Sequence, residues 1–152
     1  MTIDYIDKQL LNLLQDNAKL TNKALSLKLN LSVTAVHERI KKLERNGFIE
    51  AYVALVDKKK IDKNFIVFCQ VRLSKHSNDY VVQFESEVSA LDEVVACYHI
   101  SGDYDYLIKV VTQDMESYRA FVVNKLTVIS HVSHTHSSFV IKSVKQSSGI
   151  KL

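Results

Sequence analysis

Three groups of residues in this chain have types and spacings that could do chemistry. The first is the series His131, His134 and His136, whose last two members point to one face of an extended strand. Imidazoles so placed could hold a metal. No acidic or cysteine ligand stands beside them at a useful spacing, so polar packing at an interface or pocket is the simpler reading and no metal site is assigned. The second group is the run Gly102, Asp103, Tyr104, Asp105 and Tyr106. A glycine among carboxylates and aromatics at a strand edge can offer backbone N–H groups to an anion and a carboxylate to an ammonium, which are the two charges of a free amino acid. The same residues would also make a plain hairpin connection. The third group lies between Lys19 and Arg45, where Lys19, Lys23, Lys28, Arg39, Lys41, Lys42 and Arg45 face only Glu38 and Glu44. Such an excess is the footprint of phosphate binding, and a solvated helix face gives the same count.

Other chemistries lack their residues. There is no Gly-x-Ser-x-Gly elbow and no Gly-rich phosphate loop, so no motif stands behind an enzymatic reading. Cys69 and Cys97 each sit inside an apolar run without metal or redox spacing, as buried reduced thiols would. The longest uncharged stretch, Leu126 to Ile141, has sixteen residues broken by three histidines and six hydroxyl side chains, too short and polar to span a bilayer. The opening Met1, Thr2, Ile3, Asp4 carries no basic region ahead of an apolar run, and a cytoplasmic location without membrane contact is expected.

The elements that must position these groups divide the 152 residues in two. Residues 1–64 hold twelve Lys/Arg against eight Asp/Glu, and residues 65–152 hold eight against nine, so the basic excess belongs to the first part. There, Ile6, Leu10, Leu13 and Leu14 follow helical spacing behind an Asp4 cap. Thr21 caps a second helix with Ala24, Leu25 and Leu29 on one face. Ser32 caps a third, from about Val33 to Asn46, with Val36, Ile40 and Leu43 inward and Gly47 placed for a left-handed C-cap. The short corner between the second and third helices describes a helix-turn-helix, a small bundle with solubilising charges being the bland alternative. The third helix then displays Thr34, His37 and Glu38 in its N-terminal half, where base edges are met. Lys41, Lys42 and Arg45, with Arg39 at the edge, lie where a phosphate backbone would pass. Phe48 to Val56 reads as a wing or connecting strand, and the polar stretch Asp57 to Asn64, with Lys58, Lys59, Lys60 and Lys63, as the domain boundary.

In the second part, strands are expected at Phe65–Leu73, Val94–Ile100, Tyr106–Val111 and Val132–Val144. Helices are expected over Asn78–Val88 and behind an Asp114 cap, the latter with Met115, Tyr118, Val122 and Leu126 inward. The order β-α-β-β-α-β is the ferredoxin-like split βαβ pattern, with both helices on one sheet face. The strands are apolar on nearly every residue, so the uncovered face calls for a cover, and a second copy of the chain is the simplest one. The fold class is α+β: helix-turn-helix domain 1–50, connecting strand and linker 51–64, and αβ domain 65–152.

Across nearly its whole length the chain resembles the leucine-responsive regulatory protein/AsnC, or feast/famine, family of transcription regulators. The likeness rests on Ile3-Asp4 with Ile6-Asp7; on Leu31-Ser32 followed by Arg39-Ile40, Leu43-Glu44 and Gly47-Phe48-Ile49; on Gly102 to Tyr106; on Asp114-Met115; and on Thr135, Ser137 and Val144-Lys145. The resemblance implies a winged helix-turn-helix that binds double-stranded DNA, joined to an ACT-like (RAM) domain that binds a small effector, usually an amino acid, and dimerises through its sheet. Dimers of the family assemble further into tetramers or octamers. It also implies an effector site near Gly102, Asp103, Tyr104 and Asp105, with Met115, Thr135, Ser137 and Ser138 close by, and no other cofactor. His134, His136 and Ser137, where many relatives carry threonine, alter polarity near that site, so leucine itself does not carry over. The implied function is regulation of transcription modulated by an amino acid. A haem-precursor decarboxylase on the same scaffold is the enzymatic alternative, and an effector-binding protein without operator affinity is a third reading.

Overall fold

The computed structural model describes residues 2–147 and 149–152, which form two compact units: residues up to 55 with 144–152, and residues 56–143. The first is helical, with α1 (Tyr5–Asp16), α2 (Asn22–Leu29) and α3 (Val33–Arg45). Local chemistry sets each boundary. Asp4 and Asp7 form a reciprocal capping box at the head of α1, and the Thr21 and Ser32 hydroxyls accept from the N–H groups of Ala24 and Ala35 at 3.1 Å. Gly47, at φ +72°, ends α3: its N–H and that of Phe48 donate to the carbonyls of Glu44 and Leu43 in a Schellman arrangement. Leu10, Leu11, Leu14, Leu25, Leu29, Val36 and Leu43 bury one another into the core of the unit.

Two features of this unit go beyond what the sequence suggests. Residues 48–56 form no strand, because nothing in the unit offers them a ladder, and Val53 and Leu55 are exposed. Residues 149–152, expected with the αβ domain, lie instead along α1. There the Asn12 and Gln15 amides bond reciprocally to the backbone of Leu152 (3.1 Å each way) and Ile150 (2.7 and 2.9 Å).

The second unit carries β1 (Phe65–Leu73), α4 (Asn78–Ser89), β2 (Val94–His99), β3 (Tyr106–Thr112), α5 (Met115–Phe121) with a π-helical turn over Val122–Leu126, and β4 (Val132–Phe139). The sheet is antiparallel in the order β2-β3-β1-β4, the ferredoxin-like order. Val67, Cys69, Val71, Tyr106, Ile108 and Val110 face the helices and pack with Phe84 and Val88 of α4 and with Tyr118, Phe121 and Leu126. The π-helical turn explains that last position. A regular helix would turn Lys125 inward four residues after Phe121, and the extra residue brings Leu126 to the core instead.

Three details differ from the sequence expectation here. Met115, expected inward, is 51% exposed, since it opens α5 at the rim and Phe121 takes the buried place. The last strand stops at Phe139, after which Ile141 and Val144 are fully open to solvent. The uncovered sheet face is also less apolar than expected. Ile66, Phe68, Leu107 and Val111 are interleaved there with Gln70, Arg72, Lys109, His134 and His136, the register placing each on the face away from the helices.

Candidate nucleic-acid interface and effector site

Helix α3 separates its duties by side. Val36 and Leu43 are fully buried, while Thr34, His37, Glu38, Lys41, Lys42 and Arg45 are exposed. Lys42 and Arg45 have no ion pair among the described residues. Lys41 pairs with Glu44 at 3.1 Å, and Tyr52 donates to the same carboxylate at 3.0 Å; the two hold Glu44 below its ordinary pKa, Lys41 the more strongly. His37 lies 3.3 Å from the Asn22 amide, which ties α3 to α2 while leaving the other ring nitrogen available.

Arg39 is placed otherwise than the sequence suggests. Its guanidinium is gripped by Asp4 at 2.7 Å and Asp7 at 2.6 Å, and the Asp7 side chain is only 3% exposed. Asp4 therefore sits below its ordinary pKa, first through the Asp7 N–H and then through Arg39. The two carboxylates raise Arg39 in turn. Arg39 thus fastens α3 to the capping box of α1. The Asp4/Asp7 spacing was visible in the sequence; that the pair would meet a cation 32 residues on was not, because only the helix crossing creates the contact.

In the αβ unit, Gly102 adopts φ +124°, a conformation that favours glycine, and the turn behind it is held from several sides. The Arg72 guanidinium donates to the Asp103 carbonyl and lies 5.3 Å over the Tyr104 ring, which is flanked by His134 at 6.1 Å and His136 at 6.3 Å. The Asp105 carboxylate accepts from the Leu73 N–H at 2.7 Å through one oxygen and meets His76 Nε2 at 2.9 Å through the other. Each oxygen keeps a further lone pair, so Asp105 can still accept from an ammonium.

The remaining candidates fall on two sides of the sheet. Thr135 and Ser137 pair with Val71 and Cys69 on the helix side, whereas Ser138 pairs with Phe68 on the open side. Ser137 and Tyr118 share a 2.6 Å hydrogen bond, with the Cys69 thiol 3.9 Å from the serine. This buried polar group escaped the sequence reading because its members lie on three elements. Burial pushes the Cys69 thiol up and Cys97 up to about 11, so neither is reactive near neutrality. His131 is apart from its neighbours in sequence, at φ +70° with its ring 3.9 Å from that of Tyr80. Among the described residues no three His, Cys, Asp or Glu side chains gather as metal ligands would.

A helix-turn-helix with cationic residues on the outward side of α3 and a ferredoxin-like sheet carrying a polar turn stand together in one chain, and comparison with known proteins gives it a family. Residues 3–50 match the winged helix-turn-helix DNA-binding domain and residues 66–150 the Lrp/AsnC ligand binding domain. The chain is 38% identical over 145 residues to the leucine-responsive regulatory protein of Klebsiella pneumoniae, covering 95% of this chain and 88% of that one, and 37% identical to that of Escherichia coli K12 over the same shares. A transcriptional regulator from Neisseria meningitidis, solved as an L-Met complex, superposes with a TM-score of 0.94 at 31% identity, covering 98% of this chain and 96% of that one. An AsnC family transcriptional regulator from Agrobacterium tumefaciens gives 0.93 at 34%, covering 97% and 96%. The chain belongs to the Lrp/AsnC family of transcription regulators. No helix among the described residues is long and apolar enough to cross a membrane.

Proposed function

We propose that the chain controls transcription in the cytoplasm by reading DNA with the outward side of α3, and that a free amino acid bound near Gly102–Asp105 modulates the reading. One observation carries the DNA half: the exposed side of α3 divides along its length into Thr34, His37 and Glu38, then Lys41, Lys42 and Arg45. The first three suit base edges and the last three phosphates. Arg39 positions the helix. In this reading residues 1–50 read DNA, 51–64 connect, and 65–152 sense and assemble, with 149–152 returning to α1.

The effector half is supported by the L-Met complex of the Neisseria neighbour and by the charges at the turn. Asp105 would take the ammonium, and backbone around Gly102, Asp103 and Tyr104 the carboxylate. Thr135, Ser137, Ser138 and Met115 would contribute from neighbouring positions. Because those four divide between the two sides of the sheet, a complete site needs a second copy of the chain to bring some of them together. The apolar residues Ile66, Phe68, Leu107 and Val111 on the open face support a homodimer, which builds to a tetramer or octamer. The protein acts by binding rather than catalysis and needs no resident cofactor. Thermal melting against each amino acid tests the effector: one of them should raise Tm by several degrees, and uniform melting with all of them would overturn the reading.

A further inference from the structure

The lysine-rich stretch Asp57–Lys63 has the composition of a linker and the structure of a platform. Its backbone is closed by hydrogen bonds from Lys60 N–H to the Asp57 carbonyl (3.1 Å), Lys63 N–H to the Lys58 carbonyl (2.8 Å) and Lys59 N–H to the Asp57 carboxylate (3.0 Å), with Asp62 left-handed at φ +53°. It belongs to the αβ unit and leads directly into β1. Lys59, Lys60 and Lys63 are exposed, Lys58 is half-buried, and none of the four has an ion pair among the described residues. Asp57 is occupied by its own turn. Glu93, whose charge reaches Lys63, is already held by Lys125 at 2.6 Å. Partial burial lowers the pKa of Lys58, and a fifth ammonium, Lys109 on the open sheet face, adds to the effect.

A mobile linker lets like charges spread apart, whereas a closed turn holds them together. We propose that this turn is a second phosphate-binding element, adding DNA-backbone contacts to those of α3. The residue types set the chemistry. Lysines are point charges that suit phosphate oxygens, and no arginine, amide or aromatic of the turn could read a base edge. The turn therefore supplies affinity and salt dependence without sequence preference. The inference rests on the DNA-reading role of α3 and adds a contact carried by the other unit.

The test compares wild type with the triple variant Lys59→Gln/Lys60→Gln/Lys63→Gln on random-sequence and preferred duplexes over a range of salt. Each lost phosphate contact flattens the log–log slope by about 0.9, so the slope should fall by roughly 2 to 3, and affinity near physiological salt should drop about tenfold or more. The ratio of preferred to random binding, the melting temperature and the oligomeric state should hold, and the triple Lys→Arg variant should restore the slope. A slope within about half a unit of wild type would overturn the inference. So would a Gln variant that changes sequence preference, or one that changes oligomeric state at constant slope, the latter marking the turn as a contact between copies. If Lys41→Gln/Lys42→Gln flattens the slope and the turn variant does not, only the second element fails. A wild type that binds no duplex sinks both readings.

Discussion

The helical unit and the αβ unit treat their charged residues differently. On α3 the groups proposed to meet DNA point outward and the groups that hold the fold point inward, with Arg39 alone crossing from one duty to the other. At the Gly102–Asp105 turn the two duties fall on the same atoms: the carboxylate proposed to take an ammonium also fixes Leu73 and His76. A reading surface can be all surface because DNA brings its own shape. A small-molecule site must be built, so its residues are tied into the structure before any ligand arrives.

The largest effect should come where the two duties were confused in sequence. Arg39→Ala removes the cation over Asp7, whose side chain is almost wholly buried, and should destabilise the helical unit by about 2 to 3 kcal/mol in chemical denaturation, below the cost of breaking a wholly buried pair because Arg39 is partly solvated. If Arg39 were a phosphate contact instead, its loss would leave stability unchanged and flatten the salt slope.

Asp105→Asn probes the opposite unit. The amide oxygen can still accept from Leu73, so folding and basal DNA binding should persist, while affinity for the identified amino acid falls roughly ten- to a hundredfold by calorimetry for want of the charge. Unchanged affinity in a folded variant would move the ammonium elsewhere.

Glycines compare the units more gently. Gly47→Ala should cost about 1 kcal/mol, since φ +72° is the left-handed region and no atom lies within 4 Å of the added Cβ. Gly102→Ala should cost more despite equally open space, because φ +124° lies outside the left-handed well available to alanine. Equal melting temperatures for the two variants would contradict this.

Acid gives the smallest contrast. The folded pKa of Asp4 lies below its ordinary 3.8, so its contribution is complete above that value and disappears as pH falls through the depressed one. Asp114 at the head of α5 behaves alike through the Ser117 N–H. Arg39→Ala should raise the acid midpoint of the helical unit and leave that of the αβ unit in place, as NMR signals from each would record.

What could be read from the sequence follows this same division. Caps and apolar spacing are local, so Asp4, Thr21, Ser32 and Gly47 announce the three helices, and the β-α-β-β-α-β succession of the αβ unit is equally plain. The Asp4–Asp7–Arg39 cluster, the Tyr118–Ser137 bond and the seat of residues 149–152 on Asn12 and Gln15 depend on which elements meet, which spacing along the chain does not encode. Met115 departs from helical spacing because it opens α5 at the rim of the core, and residues 48–56 from strand form because they have strand character but no ladder. For the effector site, residue types pointed to the turn, but the register of β4 on β1 was needed to show that Ser137 faces the helices and Ser138 the open side.

The most direct test of the central claim, that α3 reads with one half and anchors with the other, is the ratio of affinities for a preferred and a random duplex in His37→Ala and Lys42→Ala proteins. Lys42→Ala should weaken both duplexes by the same factor and flatten the salt slope by about 0.9, while His37→Ala should change the ratio itself. Equal losses on both duplexes from both variants would contradict it.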